Sequence, residues 1–249
     1  MVPSRTTIGQ VIVRVSRPPD ATSCYVKVLL AMEHPGNDRH AGHVPGPSRA
    51  AGPEQDWPIE KHGVMITGEN PMIVLYRPGS DDIVAIASIW TSTYSEAGTG
   101  RALVIWADPV DTGLGALAPV GIYTDNPELA RFVWANFYND YGPIQGRGIE
   151  DAPLRSAAFT EQSGGRSFHR ITCTSGPTTI EVEWRDVLEV FHIVTYPTGY
   201  EVSVVAAPCA SGTITVDGHR AIGEIHRPEG WFKSSAALAF AETWIALEA

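Results

Sequence analysis

The stretch TTIEVEWRDVLEVFHIVTY, residues 178–196, decides how this chain is read. Its first half alternates. Ile180, Val182 and Trp184 fall on one face and Glu181 and Glu183 on the other, the pattern of a half-buried antiparallel strand. Its second half alternates again, with Val190, His192, Val194 and Tyr196 on one face and Phe191 and Ile193 opposite. Two strands, Thr178–Arg185 and Val187–Tyr196, thus follow each other with almost no linker. Pro197-Thr198-Gly199 then reads as a hairpin turn into Tyr200–Pro208.

Outward from this centre the same period recurs. Ser167–Thr174 precedes it, and Gly212–Val216 and Arg220–Arg227 follow, with Asp217-Gly218 as a tight turn between them. In the first half, Gly9–Val15, Cys24–Met32, Val64–Thr67, Met72–Arg77, Ile83–Thr91 and Ala102–Trp106 read as strands, with Gly79-Ser80-Asp81-Asp82 as a turn. Ile83–Trp90 is apolar at nearly every position, so both of its faces should be covered. Two segments change period. Asn126 suits an N-cap, Pro127 a first helical position and Glu128 the positive helix end. Leu129, Phe132, Val133, Phe137 and Tyr141 then recur at helical spacing until Gly142-Pro143. Near the end, Ser234 or Ser235 can cap a segment in which Leu238, Ala241, Trp244, Ile245 and Glu248 follow the same spacing. The pattern predicts a mainly β (α+β) fold. We expect an antiparallel β-barrel or strongly bent sheet of about ten strands, with two packed helices at about 126–141 and 234–247. Residues 1–249 are read as a single β-rich domain, and a two-part organisation around 142–165 stays open.

Composition agrees with short strands and turns. The 249 residues include 24 Gly and 19 Pro, and an apolar fraction of 43% is enough for a sizeable core. Lys+Arg 18 against Asp+Glu 28 leaves a net charge of −10, which argues against general nucleic-acid binding. No run approaches the 18 apolar residues of a membrane helix, and MVPSRTTIGQVIVRV has no apolar core of a secretory signal. Cys24, Cys173 and Cys209 are odd in number and widely spaced. They suit free thiols in a reducing cytoplasm better than a disulfide framework or a cysteine zinc site.

Candidate chemistry is sparse. An apolar strand face that carries one imidazole and one phenol is what the wall of a small-molecule pocket shows. His192 and Tyr196 are therefore the candidate catalytic residues, the first for proton transfer and the second as hydrogen-bond donor. Trp184, Val190, Val194 and Tyr200 are the candidate substrate-binding residues. The long Glu33–Pro58 segment, with five prolines and four glycines, reads as a loop or lid. Its His34, His40 and His43, with Asp38 between, are the alternative metal ligands, although their spacing fits no zinc motif. Gly113-Leu-Gly115-Ala-Leu-Ala118 matches GxGxxA, but Pro119 follows at once and no βαβ unit surrounds it, so it carries no nucleotide role. Asp81-Asp82, Asp108 and Asp111 are read as turn residues. The leading expectation is an enzyme of lyase or isomerase type. It would carry out acid/base isomerisation, cyclisation or elimination on a small hydrophobic molecule in an apolar pocket, without a cofactor. The alternatives are a non-catalytic binding protein for a small apolar ligand and a metal-dependent enzyme using the 34–43 histidines.

Overall fold

The fold is described from a computed structural model that covers residues 62–138, 141–195, 200–227 and 233–246. The expected strands Gly9–Val15 and Cys24–Met32, the loop 33–58 and the turn 197–199 lie outside these residues.

The central layer is built on β3 (Ile83–Ser95) and β4 (Gly100–Ala107), which pair antiparallel. Both strands are apolar at almost every position, and both faces are buried. Ala85, Ala87, Ile89, Leu103 and Ile105 point into one core, while Ile86, Trp90, Ala102 and Val104 point into another. Each fully buried Ile or Leu contributes on the order of 1.5–3 kcal/mol, so a strand buried on both sides is a strong organiser. Beyond β4 the sheet continues through β5 (Val120–Thr124) to β6 (Leu154–Ser156), which is parallel to β5 and makes the sheet mixed.

On the other side of β3 stands one broken strand. β1 (His62–Glu69) and β2 (Met72–Tyr76) both pair with β3 on one edge and with β13 (Ala236–Ala246) on the other. Asn70 and Pro71 separate them. The Asn70 amide still donates to Ala239 O at 2.7 Å, and Pro71 O accepts from Ile89 N at 3.0 Å, so pairing persists across the break. This break produces a ring of four strands within the mixed sheet, in place of the expected barrel.

β11 (Tyr200–Val216) is the bend. Its first part pairs with β13 and with β10 (Phe191–Thr195), and its second part pairs with β9 (Thr178–Val187). β9 and β10 lie along the same edge of β11 with one extra residue between Val187 and Phe191, a bulge that turns the hairpin. β8 (Phe168–Ser175) and β7 (Ala158–Ser163) extend this second wing. It folds over the first. Ile171, Ile180, Val182, Trp184 and Ile214 share one core with Ala87, Ile89, Leu103 and Ile105. The hairpin into β12 (His219–Arg220) turns at Asp217 and Gly218, both at positive φ, as the Asp-Gly pair suggests.

A short helical layer covers the outer face of the first wing. Asn126 Oδ1 accepts from Glu128 N and Leu129 N, and Pro127 opens α1 (Pro127–Val133). The helix expected over 126–141 is only two turns long and passes into a π-helical turn, Trp134–Tyr138. Leu129, Ala130, Val133 and Tyr138 pack on Ile86, Trp90 and Val104.

The second expected helix, 234–247, is a strand. Ala, Leu and Glu favour a helix locally, but β13 pairs on both edges, with β1 and β11, and that pairing overrides propensity. β11 comes close to β13 at Gly212, where there is no room for a side chain: a Cβ there would lie 2.9 Å from Ala236 Cβ. Arg220–Arg227 is likewise no continuous strand, keeping only β12 and a bridge at Glu224. No helix among the described residues is long and apolar enough to cross a membrane.

Candidate functional site

The residues singled out from sequence scatter. Trp184 is fully buried between the two wings, its Nε1 donating to Met72 O at 3.0 Å. Val190 is exposed on the bulge, and His192 is exposed on β10, with Nε2 2.9 Å from Ser203 Oγ. The face carrying Val190 and His192 is thus the more open one, while Phe191 and Ile193 are partly covered. Trp184 does not share a wall with them, because the bulge breaks the alternation between β9 and β10. Tyr196, the side chains of Val194 and Tyr200, and His34, His40 and His43 lie outside the described residues. Asp108 Oδ1 accepts from the Val110 and Asp111 amides at 2.8 Å each, and Arg77 bridges Asp82 and Asp111, so these carboxylates serve turns.

The register points elsewhere. Arg101 pairs with Thr91, Thr91 with Glu69, Glu69 with Phe240, Phe240 with Val205, and Val205 with His192. Directly opposed residues share a face, so these six form one row across the first wing, on its inner side. The row marks the level at which the core gives way to polar residues. Its far members Phe240 and Val205 are exposed apolar side chains, and His192 lies three strands, about 14 Å, from Glu69.

The second wing meets this row with its own polar residues. His169 pairs with Trp184 in β8–β9 and faces inward with Ile171 and Cys173, while Glu161 faces the same way from β7. Arg101 Nη2 reaches across to Glu161 Oε2 at 3.0 Å, and its Nη1 to Phe159 O at 3.5 Å. The other Glu161 oxygen, Oε1, lies 3.9 Å from His169 Nδ1. One ligand atom from each of Glu69, Glu161 and His169 falls within 4.8 Å of the others.

This cluster is under-satisfied. Among the described residues, four buried side-chain nitrogen or oxygen atoms have no hydrogen-bond partner, and three of them are here: Thr91 Oγ1, Arg101 Nε and His169 Nε2. Buried polar groups are normally paired, so three orphans at one end of a core mark a place where something besides packing shapes the residues. The His169 side chain is 10% exposed and its ring leans on Trp184, centroids 5.7 Å apart.

Two other polar groups are fully engaged and serve structure. In the outer core, Tyr138 OH lies 2.7 Å from Ser88 Oγ and accepts from Asn70 Nδ2 at 3.4 Å, and burial pushes the phenol up from its ordinary value. On the outer face of the second wing, burial pushes the Glu183 carboxyl up, but bonds from Arg170 and Arg185 outweigh it and hold the group below the usual carboxylate range. The thiols are inert by the same physics. Burial pushes Cys173 up to about 12 and Cys209 up to about 11, so neither supplies a thiolate near neutrality.

No family model matches the chain. Neither a curated protein nor a solved structure matches it, so the functional reading rests on this geometry.

The cluster was hard to see in one dimension. Its members, Glu69, Thr91, Arg101, Glu161 and His169, come from five strands and no two are neighbours in sequence. The one available signal was an imidazole, His169, sharing a strand face with Ile171 and Cys173.

Proposed function

We propose that the chain binds a small, mainly apolar molecule at the mouth between the two wings and acts on it by acid–base isomerisation, cyclisation or elimination. The observation that carries this reading is the meeting of Glu69, Glu161 and His169 beside the exposed apolar Phe240 and Val205. The apolar body of the molecule would lie over Phe240 and Val205, with its polar end turned to the three titratable groups. Apolar walls with a few convergent polar groups are the usual make-up of a small-molecule site.

The unpartnered N–H of Arg101 Nε and the Thr91 hydroxyl are ready donors for a carbonyl or developing oxyanion. Glu161, held on one oxygen by Arg101, turns the other toward His169, 3.9 Å away, so carboxylate and imidazole flank one place where a substrate could exchange a proton with either. In this reading the proton-transfer role expected of His192 passes to His169, and His192 becomes a rim residue of the same row.

The test is mass spectrometry of a library of small apolar carbonyl and carboxyl compounds, incubated with wild type, His169→Phe and His192→Phe. The reading expects a product or isomer with wild type, its loss in His169→Phe, and its survival in His192→Phe. A compound retained unchanged by wild type would mark binding without turnover. Turnover that survives His169→Phe would refute the assignment.

A further inference from the structure

We infer that Glu69, Glu161 and His169 form a binding site for one divalent transition-metal ion of the zinc or manganese class. The inference deepens the proposed function and takes from it only the location of the site. Imidazole nitrogen and carboxylate oxygen are the ligands such ions take. Here one imidazole and two carboxylates converge from three strands, β1, β7 and β8.

Three observations support the ion, the first of them independent of the acidic pair. The first is the state of His169. Its side chain is nine-tenths buried, its Nε2 has no partner, and its Nδ1 faces a carboxylate oxygen at 3.9 Å, too far for a hydrogen bond. An ion held by Nδ1 would give the buried imidazole the partner that Glu161, at 3.9 Å, does not.

The second is the division of labour at Glu161. Arg101 holds Oε2 at 3.0 Å, leaving Oε1 turned to His169. A partner that fixes one oxygen and orients the other is what supports a metal-ligating carboxylate. The third is charge. Two carboxylates, Glu69 and Glu161, against one guanidinium, Arg101, leave an excess of negative charge beside the imidazole, which favours a cation.

The geometry is close to what an ion needs. Ligands at about 2.1 Å from a tetrahedral ion stand about 3.4 Å apart. The present separations, up to 4.8 Å, close by rotation of the two glutamate side chains, neither of which is buried. The imidazole is held on a strand and need not move. Three protein ligands leave a fourth position for water or for the polar end of the small molecule, which is the arrangement of catalytic rather than structural sites. The ion would then act as Lewis acid on that polar end.

The test uses the full chain stripped with chelator and dialysed. Zinc chloride and manganese chloride are titrated by calorimetry, and bound metal is counted by elemental analysis after desalting. Cobalt is added as a spectroscopic probe of coordination. We expect one ion per chain. His169→Phe and Glu69→Gln should each weaken binding at least 10-fold, and Arg101→Met, which removes the contact that positions Glu161, about 10-fold. Far-ultraviolet circular dichroism checks each fold, and Glu69→Gln decides the matter if His169→Phe does not fold. No stoichiometric uptake by wild type would overturn the inference. So would uptake with unchanged affinity in the folded variants, which would place the ion elsewhere, the 34–43 histidines included. Small-molecule binding is measured in parallel on the metal-free protein. Metal uptake without it would remove the proposed function alone, and the reverse result would remove the metal alone.

Discussion

Replacing His169 by phenylalanine should leave the metal-free protein as stable as wild type or more so, although His169 is buried where the two wings meet. The reasoning is local. Nε2 is buried with no partner, and an unsatisfied buried polar group costs about 1–3 kcal/mol. A phenyl ring removes that cost and keeps an aromatic surface against Trp184. It is slightly larger than imidazole, and the resulting crowding costs less than about 1.5 kcal/mol. The balance is a gain of roughly 0–2 kcal/mol. With a urea dependence of about 2–3 kcal/mol per molar, the midpoint rises by up to about 1 M. Trp184→Phe is the control. It leaves a cavity and removes the donor to Met72 O, so it should cost about 2–4 kcal/mol. The assay is equilibrium urea unfolding of both variants and wild type in chelator, followed by circular dichroism. A loss of more than about 1 kcal/mol in His169→Phe would mean that the imidazole holds the fold, and the functional reading of the cluster would lose its main support.

Other consequences can be measured on the same material. Gly68→Ala should destabilise by about 2–4 kcal/mol in urea and weaken metal uptake, because a Cβ there would stand 2.0 Å from Thr91 O and push β1 off β3 beside Glu69. Cys173 and Cys209 should resist iodoacetamide in the native protein at pH 8 and label after unfolding, as read by peptide mass spectrometry. Glu183 is held below its unfolded value of about 4.3, so its contribution is present above that pH and is lost as pH falls through the folded value. Below about pH 5 the stability of wild type should therefore fall more steeply than that of Glu183→Gln; equal slopes would remove the effect.

How far the sequence reaches can be judged element by element. The two-faced apolar run at Ile83–Trp90 correctly implied a strand covered on both sides, and Asn126-Pro127-Glu128 correctly marked a helix start. Both are local signals, carried by a few adjacent residues. The 234–247 segment misled because a serine cap and Leu238, Ala241, Trp244, Ile245 and Glu248 at helical spacing imitate a helix, while the conformation of Ala236–Ala246 is set by two partner strands far away in sequence. Closure failed for the same reason: nothing local says that Asn70-Pro71 splits one strand and makes a ring without a barrel. β5, β6 and β7 escaped notice because they are short and, in β6 and β7, largely exposed. The site suffered most. Alternation along 178–196 suggested a wall shared by Trp184 and His192, but one extra residue at the bulge separates them. The group that does converge, Glu69, Arg101, Glu161 and His169, is assembled by register and by the folding of one wing onto the other.

The central claim is that the mouth between the wings is where this protein meets its ligand. Thermal unfolding of wild type and His169→Phe, with and without a panel of small apolar compounds bearing one carbonyl or carboxyl end, tests it most directly. A compound at 100 times its dissociation constant stabilises the form it binds by about 2.7 kcal/mol, enough to raise the unfolding temperature by several degrees. We predict compounds that raise the wild-type transition and leave His169→Phe unmoved. Equal shifts in both proteins would place the ligand elsewhere and contradict the account.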